Sequence, residues 1–459
     1  MKYCSSKIAK LFASVALFFC LQSVIAQSYS ASPYSRYAFG DISGNPHSSF
    51  YGLGGLSVSL CDSFQFNSYN PASYSFLLKH RPVFDFGVGG QYIQMKNNSS
   101  QNDAMTFTLR AISLGIPVSA KWGLAFGITP VSSMGYSFVS HQSHPVIGDI
   151  TYKYDGKGGV NRLYIGTSFM PVKKNNHRVS AGMNLSYLFG SLQTSSRAIY
   201  DNNSINTGYL HSKLQSNTFV SDFMIEGGVI YRGPINEEEN AFLTFGSTIN
   251  AGANLYAKNE KLSYVFNDQV SESLVDTVEY VESSGHVFFP KKLSFAASFE
   301  KRILHRDLQN AYRRIVISGQ YDLQDWGKYS EIFAGDTVFD GMRNARTVSV
   351  GIQYSPFSSS IIGPDQKWWE ISTYRLAFTS SNTFLQFDSL QLKQYGISFG
   401  IGIPLLNSLS FSIINIGLEA GKRGSLENGL IEETYFRLNL GLTISPHRND
   451  LWFIKRKYD

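Results

Sequence analysis

Apolar and polar residues alternate along most of this chain in segments of about ten, the period of a strand whose two faces meet different surroundings. The final segment shows the pattern plainly. Phe436, Leu438, Leu440, Leu442 and Ile444 fall on one face, while Arg437, Asn439, Gly441 and Thr443 fall on the other. Trp122, Leu124, Phe126 and Ile128 alternate in the same way with Gly123, Ala125, Gly127 and Thr129, as do Val179 to Phe189 with Ser180 to Ser186. The phase changes near Arg110, which predicts a β-bulge. It slips again between Ile413 and Ile414, where a bulge is the simpler expectation and a kink opening the wall the alternative. With one or two strands placed in 132–155, 191–217 or 257–285, the segments number about 14, and bacterial barrels take even strand numbers.

Between the alternating segments lie Pro-, Asn- and Ser-rich breaks. Long polar stretches at 139–159, 197–218, 257–288 and 326–344 are expected to be external loops, and short breaks at 171–177 and 404–408 to be periplasmic turns. Residues 27–80 do not alternate. They hold Pro33, Pro46, Pro71 and the cluster Gly52-Leu53-Gly54-Gly55, and read as short helices and turns inside or beneath a barrel.

Composition decides what the apolar face meets. Aromatic residues make up 14% of the chain and charged residues 16%, against the usual ~25% charged for soluble domains. A soluble sandwich would carry charge on its outer face, whereas here Phe and Leu dominate. After residue 26 no apolar run reaches the ~18 residues a membrane helix needs. An all-β outer-membrane barrel with lipid outside fits both facts, because a closed barrel pairs every backbone group without an exposed edge.

Residues 1–26 read as an export signal. Lys2, Lys7 and Lys10 precede an apolar run from Leu11 to Ile25, and Ala26 precedes a cleavage point before Gln27. The signal's three lysines account for half of the net charge of +6, and the remainder is too small to argue for nucleic acid. Cys4 and Cys20 leave with the signal, so Cys61 alone remains and can form neither an internal disulfide nor a cysteine metal site.

Little in the chain suggests chemistry. Gly396-Ile397-Ser398-Phe399-Gly400 matches the nucleophile elbow, but that motif needs a strand–turn–helix corner and here lies inside an alternating strand. His141 and His144 stand in a polar stretch with no third ligand nearby. Glu226, Arg437 and Asn439 fall on the lumen face, where polar residues line a path or anchor a plug. Phe64 and Phe66 form either a ligand lining or packing between plug and wall. No cofactor is expected.

One cluster of motifs carries a family resemblance. Gly52-Leu53-Gly54-Gly55, then Asn70-Pro71-Ala72-Ser73, stand directly before the first strand. Gly158-Gly159-Val160-Asn161 leads towards Tyr187-Leu188-Phe189-Gly190, and Pro290-Lys291-Lys292-Leu293 precedes Tyr321-Asp322-Leu323-Gln324-Asp325-Trp326. This order resembles the FadL/TodX-type outer-membrane channels for long-chain fatty acids and aromatic hydrocarbons. The resemblance implies a plug over 27–80, with Phe64, Phe66, Asn70, Pro71 and Ala72 beside the ligand path. It also implies a 14-stranded barrel over 81–445, and a kinked strand that lets a hydrophobic ligand leave sideways into lipid. Passive passage of a small hydrophobic compound across the outer membrane of a Gram-negative bacterium is therefore the expected function. The segment 446–459 departs from the channel pattern. Its Trp452, Lys455, Arg456 and Lys457 suit docking to another envelope protein, so the alternative is a structural subunit of a secretion or assembly complex.

Overall fold

The computed structural model describes residues 30–445 apart from 146–147, 201–208, 268–271, 305–310, 334–335, 339–340, 359–365, 389 and 406–411. Residues 1–26, expected to be an export signal, and the tail with Trp452, Lys455, Arg456 and Lys457 lie outside the described residues.

The alternating segments form strands. After the two-residue β1 (Asp41–Ile42) come β2 (Val83–Lys96), β3 (Gln101–Pro117), β4 (Trp122–His144), β5 (Gly148–Lys174), β6 (His177–Tyr200) and β7 (His211–Pro234). They are followed by β8 (Ala241–Asn250), β9 (Ala253–Phe266), β10 (Leu274–Phe289), β11 (Lys292–Leu304) and β12 (Tyr312–Gln324). The short β13 (Glu331–Phe333) and β14 (Asp336–Val338) precede β15 (Ala345–Ser358), β16 (Thr373–Phe387), β17 (Leu390–Pro404), β18 (Ile413–Arg423) and β19 (Glu432–Ile444). Fourteen of them close an antiparallel barrel, in the order β2 to β8, β11, β12, β15 to β19 and back to β2. The expected barrel and its strand number are borne out.

The outward face is the apolar one. Phe86, Phe126, Ile165, Met183, Phe223, Phe245, Phe295, Val350, Phe378, Ile397 and Phe436 are all exposed. In water this would be a large liability; against hydrocarbon it is the favourable arrangement. The bulge expected near Arg110 is present, because Gly87 pairs Ala111 and Val88 pairs Leu109, leaving Arg110 as the extra residue. No bulge marks Ile413 and Ile414: β18 begins at Ile413 and pairs in continuous register with both neighbours. The apparent slip is the start of the strand.

The polar stretches at 139–159, 197–218 and 257–288 are largely strand rather than loop. On β6 the outward residues change from Met183, Leu185, Tyr187 and Phe189 to Ser191, Gln193, Ser195 and Arg197, and on β7 from Phe219 to Asn217, Gln215 and Lys213. The ladder continues across that change. Polarity therefore marks where the strands leave lipid, not where pairing ends. Arg197 bonds Asp155 and, at 2.5 Å, Glu272, which Lys213 meets at 2.6 Å, an ion network suited only to water.

Residues 30–80 run through the lumen. Their contacts reach wall strands all round the barrel: Tyr74 to Asn184 on β6, Ser59 to Ser298 on β11, Gln320 on β12 to the Ser57 and Val58 amides, and Thr379 on β16 to Gly54. Small inward residues make room. A Cβ on Gly400 or Gly417 would collide with Tyr51, and one on Gly182 with Pro71. Gly52 itself has φ +85°, in the left-handed region that glycine adopts without strain.

A candidate lumen site beside an unpaired wall seam

Among the described residues, β3 and β4 separate while still within the apolar band. β3 and β4 pair only from Ile112↔Ile128 to Pro117↔Gly123. Beyond that fork, residues 101–111 of β3 pair with β2 alone, among the described residues. The facing edge of β4 is taken up from inside. Ser132 and Ser133 pair with Ile42 and Asp41 of β1, Ser43 donates to the Val131 carbonyl at 2.9 Å, and the Gly135 amide donates to Ser35 Oγ at 3.0 Å. The N-terminal segment thus satisfies backbone groups that β3 leaves, as a membrane-embedded edge requires.

A cavity of about 330 Å³ reaches this seam. Thr106, Thr108 and Arg110 of β3 and Pro130 and Ser133 of β4 line it on one side, with Asn45, Gln91, Asn439 and Arg437 deeper in. Above it lies an apolar cap. Phe39, Leu188, Val220, Phe289, Trp326 and Tyr329 are all buried there, and Trp326 stacks on Phe384 at 4.0 Å between ring centroids. The cavity's own surface is mixed, so the lumen is not a continuous apolar tunnel.

The residues singled out in the sequence fall in different places. Asn70, Pro71 and Ala72 make a docking joint. The Asn70 side chain caps the turn Pro71–Phe76 by accepting from the Ala72 amide at 3.1 Å, and its Nδ2 donates to the Val58 carbonyl at 2.7 Å. Ala72 packs with Cys61, Phe76, Met170 and Ile230. Burial pushes the Cys61 thiol up, which leaves it unreactive. Phe66 is fully buried and stacked on Tyr74 at 5.5 Å, with His47 edge-on at 5.0 Å, whereas Phe64 is half-buried. None of these five lines the 330 Å³ cavity.

Glu226 is held. Arg162 donates to both its oxygens at 2.6 and 2.7 Å, and Ser186 donates at 3.2 Å. Arg437 and Asn439 line the cavity, Arg437 bound to Glu419 at 3.0 Å and to Gln91 at 3.0 Å. Ser398 lies mid-strand in β17, paired on both sides at Ala377 and Glu419, so no nucleophile elbow forms. His141 and His144 stand on β4 rather than in a loop, and His141 bonds Thr151 at 3.1 Å.

Three residues that matter at the seam, Asn45, Thr106 and Thr108, carry no motif. Arg110 had a signal, the slip of phase, but that slip says nothing of what the side chain faces.

A model of the BamG family matches residues 8–459. Comparison with curated proteins finds no match. Among solved structures, a FadL homologue of Pseudomonas aeruginosa is 14% identical, with 89% of this chain and 100% of that chain covered and a TM-score of 0.60. The toluene transporter TodX of Pseudomonas putida is 14% identical over 89% of this chain and 99% of its own, with a TM-score of 0.53. The toluene transporter TbuX of Ralstonia pickettii is 11% identical over 89% and 100%, also at 0.53. Identities this low carry the fold and nothing finer. The barrel is of the FadL type, and by a match running almost from end to end the chain belongs to the BamG family.

Proposed function

We propose that this protein lets a small hydrophobic or amphiphilic compound pass, without energy input, between the barrel lumen and the lipid of a Gram-negative outer membrane. The N-terminal segment acts as the plug, and the fork between β3 and β4 is the sideways exit. The observation that carries this reading is the position of the 330 Å³ cavity, lined by residues from both sides of that fork. Toluene transport by TodX and TbuX, named for it, supports the chemical class. No step requires catalysis, and Ser398 in its ladder offers none.

The test joins the two sides of the fork. Cysteines replacing Leu109 and Val131, bridged by a short bifunctional thiol reagent, should abolish uptake of labelled toluene and fatty acids by cells carrying only this barrel. Cys61, buried and unreactive, would not compete. Uptake equal in bridged, unbridged and deletion strains would overturn the reading.

A second reading rests on a different feature. Val275, Val278 and Tyr280 on β10 are exposed beyond the lipid-facing band, in a stretch that pairs only with β9 among the described residues. Apolar side chains on such an edge suit a protein partner. Stoichiometric recovery of an envelope protein, lost on replacing these three with Ser, would favour a structural subunit.

A further inference from the structure

We infer that the cavity beside the seam binds an oxyanion, of carboxylate or phosphate type, on Arg110 and Asn45. Four cationic side chains line that cavity: Arg110, Lys292, Arg423 and Arg437. Three have a carboxylate that also lines it. Lys292 meets Asp322 at 3.8 Å, Arg423 meets Asp41 at 2.7 Å and Arg437 meets Glu419 at 3.0 Å. Among the described residues, Arg110 has no carboxylate partner. Its Nη2 donates weakly to the Asn45 carbonyl at 3.5 Å, the neutral Tyr51 hydroxyl stands beside the guanidinium, and the buried Nε itself meets no acceptor.

Asn45 points the same way. It is 6% exposed, its Oδ1 accepts from the His47 amide at 3.0 Å, and its buried Nδ2 has no partner. Buried donors are ordinarily satisfied. Two unsatisfied donors, one of them on a guanidinium, bordering one cavity make a site for an acceptor that the chain does not supply. A planar guanidinium suits carboxylate and phosphate oxygens.

Position suggests how the anion arrives. Arg110 is the extra residue of the β3 bulge, close to the fork. Its outward neighbours Leu109 and Ile112 are 42% and 48% exposed, and Met105 above them 79%. A lipid whose head group sits on Arg110 can leave its chain among these residues. That lipid-borne form rests on the lateral route proposed above; the anion site does not.

The experiment uses the full mature chain in phosphatidylcholine nanodiscs. One arm adds phosphatidylglycerol and the other inorganic phosphate, with binding read by native mass spectrometry and by phosphorus NMR. R110Q should weaken binding at least about tenfold, in line with loss of a charge-assisted bond. N45D, which offers Arg110 an internal carboxylate, should do the same. Heat-modifiable gel migration confirms that each variant is folded. Loss in the phosphatidylglycerol arm supports a lipid head group, and loss only with phosphate supports a soluble anion. Binding by folded R110Q and N45D equal to the parent in both arms overturns the site. The bridged Leu109/Val131 cysteine variant separates the two ideas. If it still takes up phosphatidylglycerol through Arg110, the lateral route fails while the anion site stands.

Discussion

At the scale of single residues, the lumen is held by polar pairs that leave little slack. Arg162 is 7% exposed and Glu226 is its only carboxylate partner within salt-bridge distance among the described residues. Removing one partner of such a pair strands the other, at roughly 3–5 kcal/mol. Glu226→Ala should therefore lower the stability of the detergent-solubilised barrel by about that amount in urea titration, and R162M/E226M together should recover much of it. Equal stability of Glu226→Ala and parent would show that Thr129 and Ser68, which also accept from Arg162, suffice to hold it. Polar lumen positions such as Glu226 and Asn439 were legible from alternation, because the period assigns a face. Their partners were not. Arg162 and Glu226 stand 64 positions apart, and they meet because the ladders set β5 and β7 on either side of β6 in a register that the sequence does not state.

Among elements, the contact between the N-terminal segment and the wall depends on close backbone approach. Gly400 and Gly417 face Tyr51 with no room for a Cβ. Gly400→Val should loosen the segment without opening the barrel, since β17 keeps both its ladders. The measurement is limited trypsin cleavage of the purified protein: faster cutting at Arg36 and Lys79, with heat-modifiable migration unchanged. The fork makes a second prediction. Amides of β3 between residues 101 and 111 that point towards β2 should resist hydrogen exchange, while the alternate ones, facing the fork, should exchange quickly; uniform protection would mean that β3 and β4 zip together in the membrane. The break expected at 171–177 narrows to the turn at Asn175 and Asn176, since β5 runs on through Pro171 to Lys174, and most of the 404–408 break lies outside the described residues. The alternating runs were readable in the sequence because they are local. The fork was not, since it depends on which strand occupies the β4 edge, and β1 is only two residues long. The polar stretches misled for a simpler reason. A residue's polarity reports its solvent, and an antiparallel ladder pairs equally well in water and in lipid.

The whole molecule is a closed tube in lipid that continues as an open, curved sheet in water. β5 runs from Leu163, its last apolar outward position, back to Gly148, which over about 15 residues at ~3.3 Å per residue is roughly 50 Å of strand. A cysteine replacing Val278, 66% exposed on β10, should react in intact cells with a membrane-impermeant maleimide, whereas one replacing Phe295 on the lipid face should not. Labelling of the second and not the first would reverse the assigned lipid band. A likeness in fold does not carry a likeness in cargo, and the lumen shows why. Trp326, Phe289 and Phe39 pack into a buried apolar cluster, while charged and amide side chains furnish the cavity that Trp326 borders.

The uneven height of the wall has a further result. β4 to β7 rise far above the membrane, while β2 and β3 stop soon after leaving it, and the fork lies where tall meets short. Seen from outside the cell, the molecule therefore has a front and a back. Neighbours diffusing in the same leaflet would meet it differently from each compass direction, and whatever passed through the fork would always emerge on the same flank, in the lee of the taller side.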